Sequence, residues 1–249
     1  MRAILCLLIA TIGLVAQTRS EQLIAAVKSA LPFPAASAGG DVPADHSAAA
    51  KWFVVWPVAA EAASIVVRAN PLHPEVQRAG AEAMKRINAA VAAADRRAQA
   101  AYDQALAELR RSGRASDLES IRLDDEGVAG ERIDAELELL IEWQMVTSFE
   151  VGSSEPPLVT AGSKGPRWML AIPANTYRGA DQREHFRAAE ARLYFGAVNK
   201  PEVLQQNDEP LFRVTVSPSS EGFAIVLRGN EALLEQVIGT ADWSQLTHR

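Results

Sequence analysis

Thiol chemistry is nearly absent from this 249-residue chain, whose one cysteine is Cys6. Cys6 lies inside an N-terminal apolar run, so the rest of the chain can form no internal disulfide and offers no thiolate to a metal. Histidine is scarce as well. His46, His73, His185 and His248 are far apart and make no H-x-x-x-H pair, which removes the usual zinc spacings. A basic excess is also missing: 25 Lys and Arg stand against 31 Asp and Glu, a net charge of −6, which argues against nucleic-acid binding through phosphates. No G-x-S-x-G elbow, S-x-x-K pair or G-x-x-x-x-G-K-[ST] loop occurs. The glycine-rich basic segment Gly162 to Arg167 (GSKGPR) reads as a turn. No cofactor is implied by any of these patterns.

What is present begins with an export signal. Arg2 is followed by an apolar run from Ala3 to Ala16, broken only by Thr11 and Gly13, and then by Gln17, Thr18, Arg19 and Ser20. At 14 residues the run is shorter than the ~20 that span a bilayer as a helix. Residues 1–20 therefore read as a cleaved signal peptide, cut after Ala16 or Ser20. The exported chain is expected in a periplasm or outside the cell. Loss of Arg2 and Arg19 would leave 23 basic against 31 acidic residues. No later run is long and apolar enough for a membrane helix, so the processed protein is expected not to be integral to a membrane.

Residues 21–50 divide into a short amphipathic helix, Glu21 to Leu31, and a Pro/Ala/Ser/Gly-rich linker. A single α+β domain is expected over 51–249. Alternation at Trp52, Val54, Trp56 and Val58, and the β-branched run Ser64 to Arg68, predict two buried strands. A long helix then fills Pro74 to Ser112. Pro74 suits the first helical position, Glu75 the positive end, Arg110 and Arg111 the negative end, and Gly113 a left-handed stop.

At 1.5 Å per residue this helix would be roughly 58 Å long. Val76, Ile87, Ala98 and Leu109 recur every eleven residues, beside the tracks Gly80, Val91, Tyr102 and Ala83, Ala94, Ala105. That period keeps one face aligned along a straight helix. Gly80, Ala83, Ile87, Val91, Ala94, Ala98 and Tyr102 form the candidate contact face, directed at the protein's own sheet or at a second copy.

After a short strand at Leu118 to Leu123 and an acidic loop, Ile133 to Val151 alternates apolar and polar residues with a period of two over nineteen residues. A strand of that length must bend, bulge or serve two sheets in turn. Strands are also expected at Arg167 to Ile172, Ala189 to Phe195, Leu211 to Ser217 and Phe223 to Arg228, the last two as a hairpin. Asn230 caps a short C-terminal helix, after which Trp243 folds back onto the core. The expected fold is a mostly antiparallel sheet of about six to eight strands, with the long helix packed across it.

Asp124, Asp125 and Glu126, with Glu131 and Asp134, gather enough oxygens for a calcium site, although the spacing matches no EF-hand and a solvated turn explains them. Trp52, Trp56, Trp143 and Trp168 fall on apolar strand faces and read as core rather than as a sugar-stacking platform. Asn175 to Arg178 with Asp181, Arg183 and His185 read as a polar loop. The leading functional expectation is a non-enzymatic exported envelope or secreted protein that acts by partner binding or assembly. A carrier of a lipid or other apolar ligand is the second. A hydrolase whose dispersed site joins distant carboxylates to His73 or His185 is the third.

Overall fold

A computed structural model describes residues 19, 21–31, 33–36, 48–55, 63–112, 125–153, 155–162, 165–179, 184–206, 211–217 and 222–246. Helix α1 covers residues 21–28. Strands β1 (Ala35–Ala36), β2 (Trp52–Val55) and β3 (Ser64–Ala69) precede helices α2 (Pro74–Ser112) and α3 (Asp125–Leu137). Ten further strands follow: β4 (Glu138–Met145), β5 (Phe149–Gly152), β6 (Leu158–Ala161), β7 (Trp168–Ile172), β8 (Asn175–Arg178), β9 (Glu184–Arg187), β10 (Ala189–Phe195), β11 (Glu202–Gln205), β12 (Leu211–Thr215) and β13 (Phe223–Gly229). Helix α4 (Glu231–Thr240) and a 3₁₀ turn (Trp243–Leu246) close the described chain.

The main sheet has eight strands in the order β1-β2-β3-β4-β13-β10-β7-β6, antiparallel throughout except for the parallel pair β1–β2. This is the expected α+β class, with the long helix and the C-terminal helix in place. A smaller sheet, β11-β12-β5, and the hairpin β8–β9 complete the strands. Side chains of a strand alternate between faces. Ile65, Val67, Leu139, Ile141, Ala191, Leu193, Ile225 and Leu227 all join one core with α1, α4 and Trp243. On the other face Leu170, Ile172, Tyr194 and Ala224 meet Val151, Phe212 and Val214 of the smaller sheet.

The folded body reaches back into the segment that composition sets apart from it. Leu23, Ala26 and Val27 of α1 are fully buried in the main core. The backbone ties them in: Asp242 N–H donates to Ala26 O at 3.0 Å. Arg19 lies 5.4 Å from the centre of the Trp143 ring. The rest of the signal segment, most of the linker, Gly113, the expected strand at Leu118 to Leu123 and Asp124 lie outside the described residues.

Four expectations change, one of them at Asn175–Arg178 and His185, where the expected polar loop is the paired strands β8 and β9. Residues 125–137 are helical, so the period-two segment is a strand only from Glu138 onward. Alternation misleads there because α3 is covered on two sides: Val128 and Ile133 turn to α2, while Ala135 turns to the sheet end beside Ala189 and Gly229. The remainder does serve two sheets, β4 in the large one and β5 in the small one. Next, β12 and β13 do not pair as a hairpin. β12 lies between β11 and β5, and β13 between β10 and β4, because Phe212 and Val214 fill the second core while Ile225 and Leu227 fill the first. Last, α2 packs on α3 instead of lying directly across the sheet. Its contact side is short of large apolar groups, and Ala83 is the one buried residue among its described side chains.

Two glycines give opposite expectations. A Cβ at Gly80 would meet nothing within 4 Å. Gly80→Ala should therefore raise stability by about 0.5–1 kcal/mol, the helix-interior penalty of glycine. At Gly229, φ is +136° and a Cβ would sit 2.1 Å from Glu138 O. Gly229→Ala should lower stability by about 2–3 kcal/mol through backbone strain and clash. Urea unfolding of both variants checks the contrast; equal effects would contradict the local geometry.

Candidate functional site

β10 is paired along both edges, with β13 and β7, and lies between the two cores, so all seven of its residues are buried. Its sequence nevertheless places Glu190 and Arg192 two apart, on the face opposite Ala191 and Leu193. A carboxylate removed from water must find cationic partners or be neutralised. Glu190 finds three. Its Oε1 accepts from Arg192 Nε at 2.6 Å, and its Oε2 accepts from Arg228 Nη2 at 2.7 Å. Arg187 Nη2 stands 3.5 Å from the same Oε2. The Glu190 side chain is 0% exposed, against 10% for Arg192, 17% for Arg187 and 45% for Arg228.

Burial alone would push the Glu190 carboxyl up, but Arg192, Arg228 and Arg187 together outweigh it and hold it below the ordinary carboxylate value. Burial also lowers Arg187, with Glu190 opposing that shift. The Arg192 guanidinium lies 3.5 Å from the centre of the Phe149 ring, a cation–π contact that ties β10 to the smaller sheet. Burial pushes the neighbouring Tyr194 phenol up to about 12. A carboxylate so fully occupied and so firmly ionised is ill suited to exchange a proton near neutrality. The cluster locks strands together.

The β8–β9 hairpin closes over this cluster. Its register sets Asn175 opposite Arg187 and Tyr177 opposite His185 on one face, with Thr176, Phe186, Arg178 and Glu184 on the other. On the first face Tyr177 stacks on His185 at 5.6 Å and crosses Gly152, where a Cβ would come within 2.7 Å of its ring. The Asn175 amide and Arg187 Nε on that face, and the Tyr194 hydroxyl of β10, are buried without hydrogen-bond partners among the described residues. On the second face Thr176 Oγ1 accepts from Arg132 of α3 at 2.6 Å, and the Arg132 guanidinium lies 5.3 Å from the Phe186 ring centre. Phe186 N–H donates to Glu131 at 2.8 Å.

Between this second face, α2 and α3 lies a cleft of about 510 Å³. Ile87 and Ala90 from α2 and Val128 and Ile133 from α3 line it with apolar surface, and Arg86, Arg97 and Arg132 bring positive charge. Glu136 and Glu184 supply the acidic groups, and Glu136 pairs with Arg86 at 3.4 Å across the two helices.

The candidate contact face of α2 divides along this line. Ala83 is buried, Gly80, Ile87 and Val91 are half-buried, and Tyr102 is 47% exposed. Ala94 and Ala98 belong to the same helix, but their side chains fall outside the described set. Of the calcium candidates, Asp125 and Glu126 form the first turn of α3 instead of a loop, and Asp124 is not described. Among the described residues no group of three or more metal-ligating side chains occurs. His73 Nδ1 accepts from Glu75 N–H at 3.3 Å, at the start of α2. Trp52, Trp143 and Trp168 pack against the two cores.

Sequence reasoning passed over Glu190 and Arg192. The signal was there: two charges at alternate positions of an otherwise apolar strand. The structure thus defines an α+β protein with a buried ionic cluster beneath a hairpin and a mixed cleft above it. No known protein family, curated protein or solved structure matches the chain. Among the described residues, no helix is long and apolar enough to cross a membrane.

Replacing Glu190 by Gln strands the arginines and should cost about 3–5 kcal/mol. Glu150→Gln, at a half-exposed pair with Arg213, should cost less than about 1 kcal/mol. The sign with pH follows from the depressed carboxyl. The Glu190 contribution is complete above the unfolded carboxyl value and fades as pH falls through the lower folded one. Wild-type stability should therefore decline below about pH 4 more steeply than that of Glu190→Gln. Parallel acid unfolding curves would contradict the assignment.

Proposed function

We propose that this chain is a non-enzymatic exported protein, periplasmic or secreted, that acts by binding a partner or by assembling through α2. One observation carries the reading. α2 has 39 residues and α3 has 13. At 1.5 Å per residue the shorter helix can face only about 20 Å of a helix roughly 58 Å long. Most of the length of α2 therefore lies beyond the reach of its helical neighbour. Met84 and Tyr102 are 56% and 47% exposed along it. A helix far longer than its own packing requires is suited to contact another molecule.

Export is supported by the basic start, short apolar run and small residues of positions 1–20. Cleavage after Ala16 would retain Arg19 at Trp143, and cleavage after Ser20 would remove it. A second reading, carriage of an apolar ligand, is favoured by the cleft beside α2.

Gentle cross-linking of the processed protein, made in an exporting host, tests the proposal. The expected outcome is a cross-linked species above monomer mass that is lost in Tyr102→Glu, together with an intact mass lacking residues 1–16 or 1–20. A strict monomer that captures no partner would sink the assembly reading. A full-length intact mass would sink processing.

A further inference from the structure

We propose that the cleft between α2, α3 and the β8–β9 hairpin binds a single-chain amphiphile with one anionic head group. Its volume, about 510 Å³, falls within the range of roughly 300–1,000 Å³ that small-molecule sites occupy. The lining is of two kinds. Ile87, Ala90, Val128 and Ile133 offer apolar contact from both helices, and Arg86, Arg97 and Arg132 offer guanidinium donors.

The shape is elongated. Arg86 and Arg97 lie eleven residues apart on α2, about 16 Å along the axis, and Val128 and Glu136 are eight apart on α3, about 12 Å. A groove of that length suits a chain laid along the helices better than a compact polar molecule. The breadth comes from small residues: alanine at position 90 leaves space that a larger side chain would fill.

The sign of the charge sets the head group. The chain as a whole is acidic, with 31 carboxylates against 25 Lys and Arg. Among its described lining residues the cleft inverts that balance, with three arginines against Glu136 and Glu184. Arg132 is held in place by Thr176 and Phe186, and the Thr176 bond engages one of its five N–H groups. The Arg86–Glu136 pair is solvent-exposed, 66% and 55% at its two side chains. Such a pair contributes little to stability, so an incoming anion can compete for the guanidinium at small cost. A cationic amphiphile would meet the same apolar walls without an anionic majority.

This inference does not depend on assembly through α2, because it uses the part of that helix facing α3. Three probes sharing one chain, dodecanoate, dodecyl phosphate and dodecyltrimethylammonium, are titrated below their micelle concentrations. Calorimetry and native mass spectrometry read the binding. The expected result is one molecule of an anionic probe per chain, with the ammonium probe at least about tenfold weaker. Preference for dodecanoate points to free fatty acids as the source, and preference for the phosphate to lipid-derived head groups.

Ala90→Trp, which fills the groove, should weaken anion binding about tenfold or more while leaving the circular dichroism spectrum unchanged. Arg97→Glu should narrow or reverse the preference for the anion. Equal binding of all three probes, or wild-type affinity in Ala90→Trp, would overturn the proposal. If Ala90→Trp does not fold, Arg97→Glu decides alone: an unchanged charge preference overturns it. Cross-linked assembly that persists when no probe binds would refute this cleft while sparing the assembly reading.

Discussion

A single carboxylate on the central strand governs the arrangement of the rest. Glu190 has no exposed surface, and its partners come from three strands: Arg187 from β9, Arg192 from β10 and Arg228 from β13. An ion so placed is tolerable only with cationic partners, and without the carboxylate the nearly buried Arg187 and Arg192 would stand side by side uncompensated. β9, β10 and β13 are therefore coupled more tightly than backbone pairing alone would make them. Arg192 extends the coupling to the smaller sheet through Phe149. The two sheets share an ionic centre as well as an apolar seam.

The cleft follows from that centre by a chain of placements. Arg187 ties one face of the β8–β9 hairpin to the main sheet, and on that face the Tyr177 ring lies over Gly152 of the smaller sheet. The opposite face is thereby presented to α3, where Thr176 and Phe186 receive Arg132. Asn230 fixes the far end of α3 by donating from its side chain to Glu136 O while capping α4 through Leu233 N–H. α3 thus stands off the sheet end, and α2 rests on α3 with the cleft between them. One wall is strand and two are helix.

What was legible in the sequence was local. The bounds of α2, the strands Ala189 to Phe195 and Phe223 to Arg228, the Asn230 cap and the return of Trp243 to the core all rest on signals within a few residues. Sequence and structure part where a local pattern has two physical solutions. Apolar residues at 133, 135 and 137 fit a strand with one buried face, and they fit equally a helix covered on two sides. For β12 and β13 the strands were correctly sited, but which sheet each joins depends on Phe212, Val214, Ile225 and Leu227 choosing between two cores distant in sequence. The contact face of α2 is visible as a period, whereas its cover is not, because the alternation at 133–137 hides the helix α3.

The length of α2 is best understood from propensity. Thirteen of its 39 residues are alanine, the residue that loses least on entering a helix. Pairs such as Gln99 Nε2 to Asp103 Oδ1 at 3.0 Å support the exposed side one turn at a time. Most helices in folded proteins owe their persistence to a buried face, and this one is instead built to stand with little cover. Small residues that make the helix self-supporting also leave the helix pair unfilled at Ala90. The same composition therefore yields a rod that outruns its domain and a groove at its base, so extension and cavity are two consequences of one choice of residue.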